Sequence, residues 1–140
     1  MIRMEKGKTM DYYIGIDLGT SSVKVLLLGE QGKIKKTAVR EYPCYFPHTG
    51  WSEQNPADWY EQTIEALKEL LCDGKVRQSV RSISFSGQMH GLVLLDDADE
   101  VIRPAILWND TRSGKETERL NQEKAFLMEE TGNQAFAGFT

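Results

Sequence analysis

Apolar and polar positions change rhythm several times along the chain. Tyr12–Leu18 (YYIGIDL) is a short run rich in Tyr and Ile, closed by Gly19 and a Thr-Ser-Ser cluster. Residues 23–28 (VKVLLL) form a second apolar run, bounded by Gly29 and Gly32. Residues 33–42 follow with polar side chains interleaved. Three short strands joined by tight turns predict an antiparallel meander. The second run is nearly all apolar, as suits a central strand. The third carries Lys33, Lys35, Lys36 and Arg40, charges that keep an outer strand from pairing edge to edge.

A helix is predicted next. Asn55 can cap it, Pro56 fits its first position, and Asp58 favours its positive end. Trp59, Thr63, Ala66, Leu67 and Leu70 share one helical face, and Asp73-Gly74 reads as its end. Val80–Ser86 reads as a strand interrupted by Gly87. Leu92–Leu95 and Val101–Trp108 read as extended segments around a polar turn. A helix from Asp110 or Thr111 to about Asn121, then a short one over 122–130, complete the pattern. The mixture is α/β with a mixed sheet.

With 140 residues, the chain fits one domain. Its net charge is −4 with both signs dispersed, which argues against nucleic acid as a partner. No apolar run approaches about 20 residues, so no membrane helix is expected. Residues 1–10 read as a flexible extension and 11–140 as the domain. Cys44 and Cys72 lack metal-ligand spacing and read as free thiols of a reducing cytoplasm.

Two stretches carry chemistry. In Gly15-Ile16-Asp17-Leu18-Gly19-Thr20-Ser21-Ser22-Val23-Lys24, a strand delivers Asp17 to its end. Gly19 allows a close backbone turn. Thr20, Ser21 and Ser22 gather hydroxyls and N–H groups of the kind that bind phosphate, and Lys24 adds positive charge. A carboxylate beside bound phosphate calls for a cation, so Asp17 reads as a Mg²⁺ ligand. The bland alternative is a polar hairpin turn with a solvated Asp. The second stretch, Ser86-Gly87-Gln88-Met89-His90-Gly91, breaks an apolar strand between glycines. Gln88 and His90 offer hydrogen-bonding groups to hydroxyls, and Met89 an apolar wall. The bland alternative here is a bulged strand with a satisfied His.

The string Ile16–Ser21 resembles the first phosphate motif of the sugar kinase, hexokinase, Hsp70 and actin group. Within it, the chain is similar to the FGGY carbohydrate kinases: xylulokinases, gluconokinases, ribulokinases and glycerol kinases. Gly87–Gly91 resembles the substrate segment of the xylulokinases. Glycerol kinases carry an Arg-Glu pair there. Trp51–Gln54 and Arg103–Asp110 add to the likeness.

The resemblance implies an actin-like ATPase (ribonuclease H-like) fold with a sheet of the five-stranded type, of which this chain is part of the first domain. It implies ATP and Mg²⁺ as cofactors, and phosphorylation of D-xylulose to D-xylulose 5-phosphate. Gly19, Thr20, Ser21, Ser22 and Lys24 would hold ATP phosphates. Gln88, Met89, His90 and Asp110 would hold the pentulose. Homodimerisation stays open. The catalytic base of that family lies in an Asp-x-x-Gly segment outside this stretch, so no residue is assigned to it, and the fragment alone is expected to be inactive. A non-catalytic actin-like ATP-binding module is the reading from another class. Apolar surface left uncovered is expected to make the chain self-associate.

Overall fold

A computed structural model describes residues 10–122 and 124–139; the proposed extension over 1–10 lies outside them except for Met10. The described residues form two compact units, 10–41 with 61–87 and 42–60 with 88–139.

The first unit is built on a four-stranded sheet. β1 (Tyr12–Leu18), β2 (Ser22–Gly29) and β3 (Ile34–Glu41) form the predicted antiparallel meander. A short strand in the other unit, β4 (Glu53–Gln54), comes next in the chain. β5 (Val80–Gly87) then pairs with β1 in parallel, giving the order β3-β2-β1-β5. The sheet is therefore mixed, with four strands among the described residues.

Period-two alternation decides what is buried. Ile14, Ile16, Val23, Val25, Leu27 and Ala38 share one face and are all nearly inaccessible. Helix α1 (Pro56–Leu70) buries Ala66 and Leu70. From the core face of β3, Lys36 donates to the Glu69 carbonyl at 2.8 Å and Arg40 to Glu69 Oε2 at 2.6 Å. The last turn of α1 is thereby anchored to β3. Asn55 caps α1 by accepting from the Ala57 N–H at 3.1 Å.

The helix ends at Leu70, and Asp73 opens a second one. Its side chain accepts from Lys75 N–H at 2.8 Å as the N-cap of α2 (Gly74–Gln78). An Asp before a Gly suits a helix stop and a helix cap equally, so the sequence pattern missed α2.

In the second unit β4 pairs antiparallel with β6 (Ala105–Ile106). The extended segments expected over 92–108 form only this ladder and two isolated bridges, Leu92–Ile106 and Leu95–Val101. Asp96 closes the turn by accepting from Ala98 and Glu100 N–H groups at 2.9 Å. α3 (Gly114–Gln122) starts later than the pattern suggests: Asp110 Oδ1 accepts from the Arg112 N–H at 2.8 Å in a local turn, and Thr117 N–H donates to the Ser113 carbonyl at 2.9 Å where the helix begins. α4 (Lys124–Thr131) follows. Cys44 and Cys72 are free thiols. No helix among the described residues is long and apolar enough to cross a membrane.

Among the described residues, β5 has a partner strand on one side only. Ile83 and Phe85 lie in register with buried Ile14 and Ile16, yet are 48% and 73% exposed. The strand carries no Lys or Pro to discourage pairing. Sedimentation velocity at high concentration is expected to show dimers or larger species, and Phe85→Lys to restore monomer. A monomeric unsubstituted chain would contradict this.

Candidate functional site

The phosphate turn lies in the first unit, where β1 turns into β2. Leu18 pairs with Val23, so Gly19–Ser21 span the turn. The Gly19 N–H donates to the Ser22 carbonyl at 3.0 Å, and is thus committed to closing the hairpin. What Gly19 contributes is the lack of a side chain: a Cβ there would stand 3.1 Å from the Ser22 oxygen. Ser21 is exposed, and Thr20 and Ser22 are half-buried.

Asp17 and Lys24 are direct cross-strand partners, both exposed on the sheet face opposite the core. Ser86 of β5 is Asp17's other neighbour in register. No cluster of three or more His, Cys, Asp or Glu side chains able to hold a metal occurs among the described residues. A cation at Asp17 would draw its remaining ligands from phosphate and water. Mg²⁺ prefers that kind of coordination, so an exposed lone carboxylate beside a hydroxyl-rich turn fits it.

β1 and β5 run parallel and end together, with Leu18 opposite Gly87. A Cβ at Gly87 would meet the Leu18 carbonyl at 3.0 Å, so glycine permits this close approach. The next residue is Gln88, the start of the sugar-side segment. The turn leaves the carboxyl end of β1, where open α/β sheets bind ligands, and Gln88 opens the next stretch of the second unit.

Within the second unit, Gln88 donates to Gln54 Oε1 at 3.2 Å, and its own Oε1 is buried without a hydrogen-bond partner. Gln54 is fully buried, accepts from Trp59 Nε1 at 3.1 Å and donates to the Pro43 carbonyl at 3.2 Å. Met89 is 73% exposed. His90 adopts φ 61°, a left-handed backbone that non-glycine residues seldom hold without support. The Phe139 ring stacks on its imidazole at 4.7 Å and 24°. Both rings line a cavity of about 290 Å³ together with Ile106, Asp110, Arg112 and Ser113.

Asp110 is 1% exposed and fully engaged. Its Oδ1 accepts from the Arg112 N–H at 2.8 Å and Nε at 2.9 Å. Its Oδ2 accepts from Ser52 N–H at 2.7 Å and Arg112 Nη2 at 2.7 Å. Four bonds fill the acceptor sites of a carboxylate. Burial, the largest single influence, pushes its pKa up. The Arg112 side chain and the Ser52 and Arg112 N–H groups together outweigh burial and hold it below the usual carboxylate value.

Arg112 is raised in turn, chiefly by its bond to Asp110, with Glu53 adding to it against burial. Its Nη1 lies 2.8 Å from Glu53 Oε1, and its guanidinium sits 3.7 Å over the Trp51 ring. Arg103 Nη2 closes the network on Glu53 Oε1 at 2.7 Å. Asp110 thus lines the cavity as a fixed wall group whose lone pairs are spent within the protein. Glu53, Arg103 and Phe139 were not singled out from the sequence. Glu53 and Arg103 lie within the matched strings Trp51–Gln54 and Arg103–Asp110, which gave them no role of their own, and Phe139 lies outside both.

Residues 12–140 match the N-terminal domain of the FGGY family of carbohydrate kinases. The chain belongs to that family. The xylulose kinase of Bacillus subtilis is 48% identical over 133 residues, covering 94% of this chain and 27% of that protein. A xylulose kinase structure from Brucella ovis superposes with a TM-score of 0.85 at 46% identity, over 92% of this chain and 27% of that one. A gluconate kinase structure from Lactobacillus acidophilus gives 0.77 at 27% identity, over 86% and 24%. The chain spans about a quarter of the length of these FGGY relatives. The actin-like α/β fold expected from the sequence is that of its FGGY neighbours.

Proposed function

We propose that this chain is the N-terminal part of an ATP-dependent kinase that phosphorylates D-xylulose to D-xylulose 5-phosphate, acting in the cytoplasm. Residues 11–140 form the opening part of its first domain, and 1–10 precede it as an extension. The observation that carries the reading is the hydroxyl-bearing turn Thr20–Ser22 at the carboxyl end of β1, next to the exposed Asp17 carboxylate. The 48% identity to a xylulose kinase supports the pentulose over other sugars.

Thr20, Ser21 and Ser22 would bind ATP phosphates, and Gly19 keeps their turn tight. Lys24 adds positive charge. Asp17 would hold Mg²⁺, which neutralises charge on the phosphates. Met89 and His90 orient the pentulose, and Gln88 braces the segment through Gln54. Asp110 serves the sugar chiefly by shaping the wall, since a direct bond would require it to release one of its four donors. In-line phosphoryl transfer asks mainly for such positioning and charge neutralisation. The base that takes the hydroxyl proton is assigned to a segment outside this chain.

Calorimetry with D-xylulose, D-gluconate and glycerol tests the assignment. Saturable heat is expected with D-xylulose alone. Heat with D-gluconate or glycerol instead would move the chain elsewhere within the FGGY family. Binding of MgATP with no response to any sugar would favour a non-catalytic nucleotide-binding module.

A further inference from the structure

Two cavities of the second unit meet at one pair of rings. The first, about 290 Å³, contains Asp110 and Arg112. The second, about 480 Å³, is lined by Leu127, Thr131, Asn133, Gln134, Ala135 and Phe136. Among the described residues, His90 and Phe139 line both, and no other does. The stacked pair therefore stands where the cavities adjoin.

The position of Phe139 is set by its neighbours. Gly138 before it has φ 80° and lies against the Trp108 and Asp110 carbonyls so closely that no side chain fits. Trp108 and Phe136 approach the Phe139 ring at 6.4 and 6.2 Å between centroids. Phe139 is still 48% exposed, so it serves as a wall more than as core.

We propose that Phe139 is a specificity-determining residue that limits the sugar pocket to a five-carbon ketose, by closing it off from the neighbouring cavity and by holding His90 in its left-handed conformation. This rests on the pentulose-kinase reading above. The smaller cavity lies at the lower edge of the roughly 300–1,000 Å³ usual for ligand pockets. Joined to its neighbour it would accept a longer chain, and Asn133 and Gln134 would offer amide groups to the extra hydroxyls. Removing the ring takes away both the partition and the stacking that supports His90.

The test compares D-xylulose with D-sedoheptulose, a seven-carbon ketose, by NMR titration of this 140-residue chain, read at His90. The unsubstituted chain is expected to bind the pentulose more tightly. Phe139→Ala is expected to shift the affinity ratio at least tenfold toward the heptulose, and to move the His90 ring resonances downfield as the stacked ring is lost. Phe139→Tyr should keep the original preference. Phe139→Leu is read in place of the alanine variant if that one unfolds. An unchanged ratio in a folded variant that still binds D-xylulose would overturn the role of Phe139 alone. If the unsubstituted chain gave no saturable pentulose response, the kinase reading would fail, and this inference with it.

Discussion

Asp110→Ala is expected to lower the stability of the second unit by about 3–5 kcal/mol, the range for breaking one side of a buried ion pair. The carboxylate is 1% exposed, and its loss strips Arg112 of three bonds and Ser52 of one. Arg112 would keep only Glu53 and the Trp51 face, with Nη1 already lacking an aligned acceptor. Domains are stable by only about 5–15 kcal/mol, so much of the margin would vanish. Chemical denaturation followed by tryptophan fluorescence would show it, since Trp51 reports on the network.

The same group sets an acid limit. The folded pKa of Asp110 lies below its ordinary 3.8. Its contribution is therefore fully present above that value and is lost as pH falls through the lower folded one. Denaturation midpoints are expected to drop below about pH 4 in the unsubstituted chain and to drop less in Asp110→Asn. Equal acid sensitivity in both would contradict the assignment.

Asp17→Asn has the largest expected effect on ligand binding. Substituting groups that merely orient metal ligands typically weakens a site by about 10–100-fold. Removing a direct carboxylate ligand should reach the upper end, on the order of a hundredfold. Asp17 is exposed and opposite Lys24, so the fold should tolerate the change. Mn²⁺ provides the measurement: with ATP present it should broaden resonances of residues 17–22, and the asparagine variant should lose this broadening. Equal broadening in both chains would remove Asp17 as a ligand.

How far the sequence could be read depended on the kind of interaction. The meander was legible because period-two alternation and glycine turns act over a few residues, and β1–β3 follow it. Asn55-Pro56 marked α1 because a cap and a fixed φ are local devices. Asp73-Gly74 misled because the same residues can end one helix or begin another. The late start of α3 was hidden, since an Asp can cap a helix or close a local turn, and Asp110 does the latter by accepting from the Arg112 N–H. Asp110 was visible as a candidate, but its four donors come from Ser52 and Arg112, and only the folded chain shows that they fill it. Phe139 carried no signal, because its stacking on His90 joins residues 49 positions apart.

The central claim is that one chain carries a metal–phosphate turn at Thr20–Ser22 and a pentulose segment at Met89–His90. Backbone amide NMR of the labelled chain, titrated separately with MgATP and D-xylulose, tests it most directly. MgATP is expected to shift Thr20, Ser21 and Ser22, and D-xylulose to shift Met89 and His90, each saturably. Shifts that map elsewhere, or a D-xylulose titration that leaves Met89 and His90 unmoved, would contradict it.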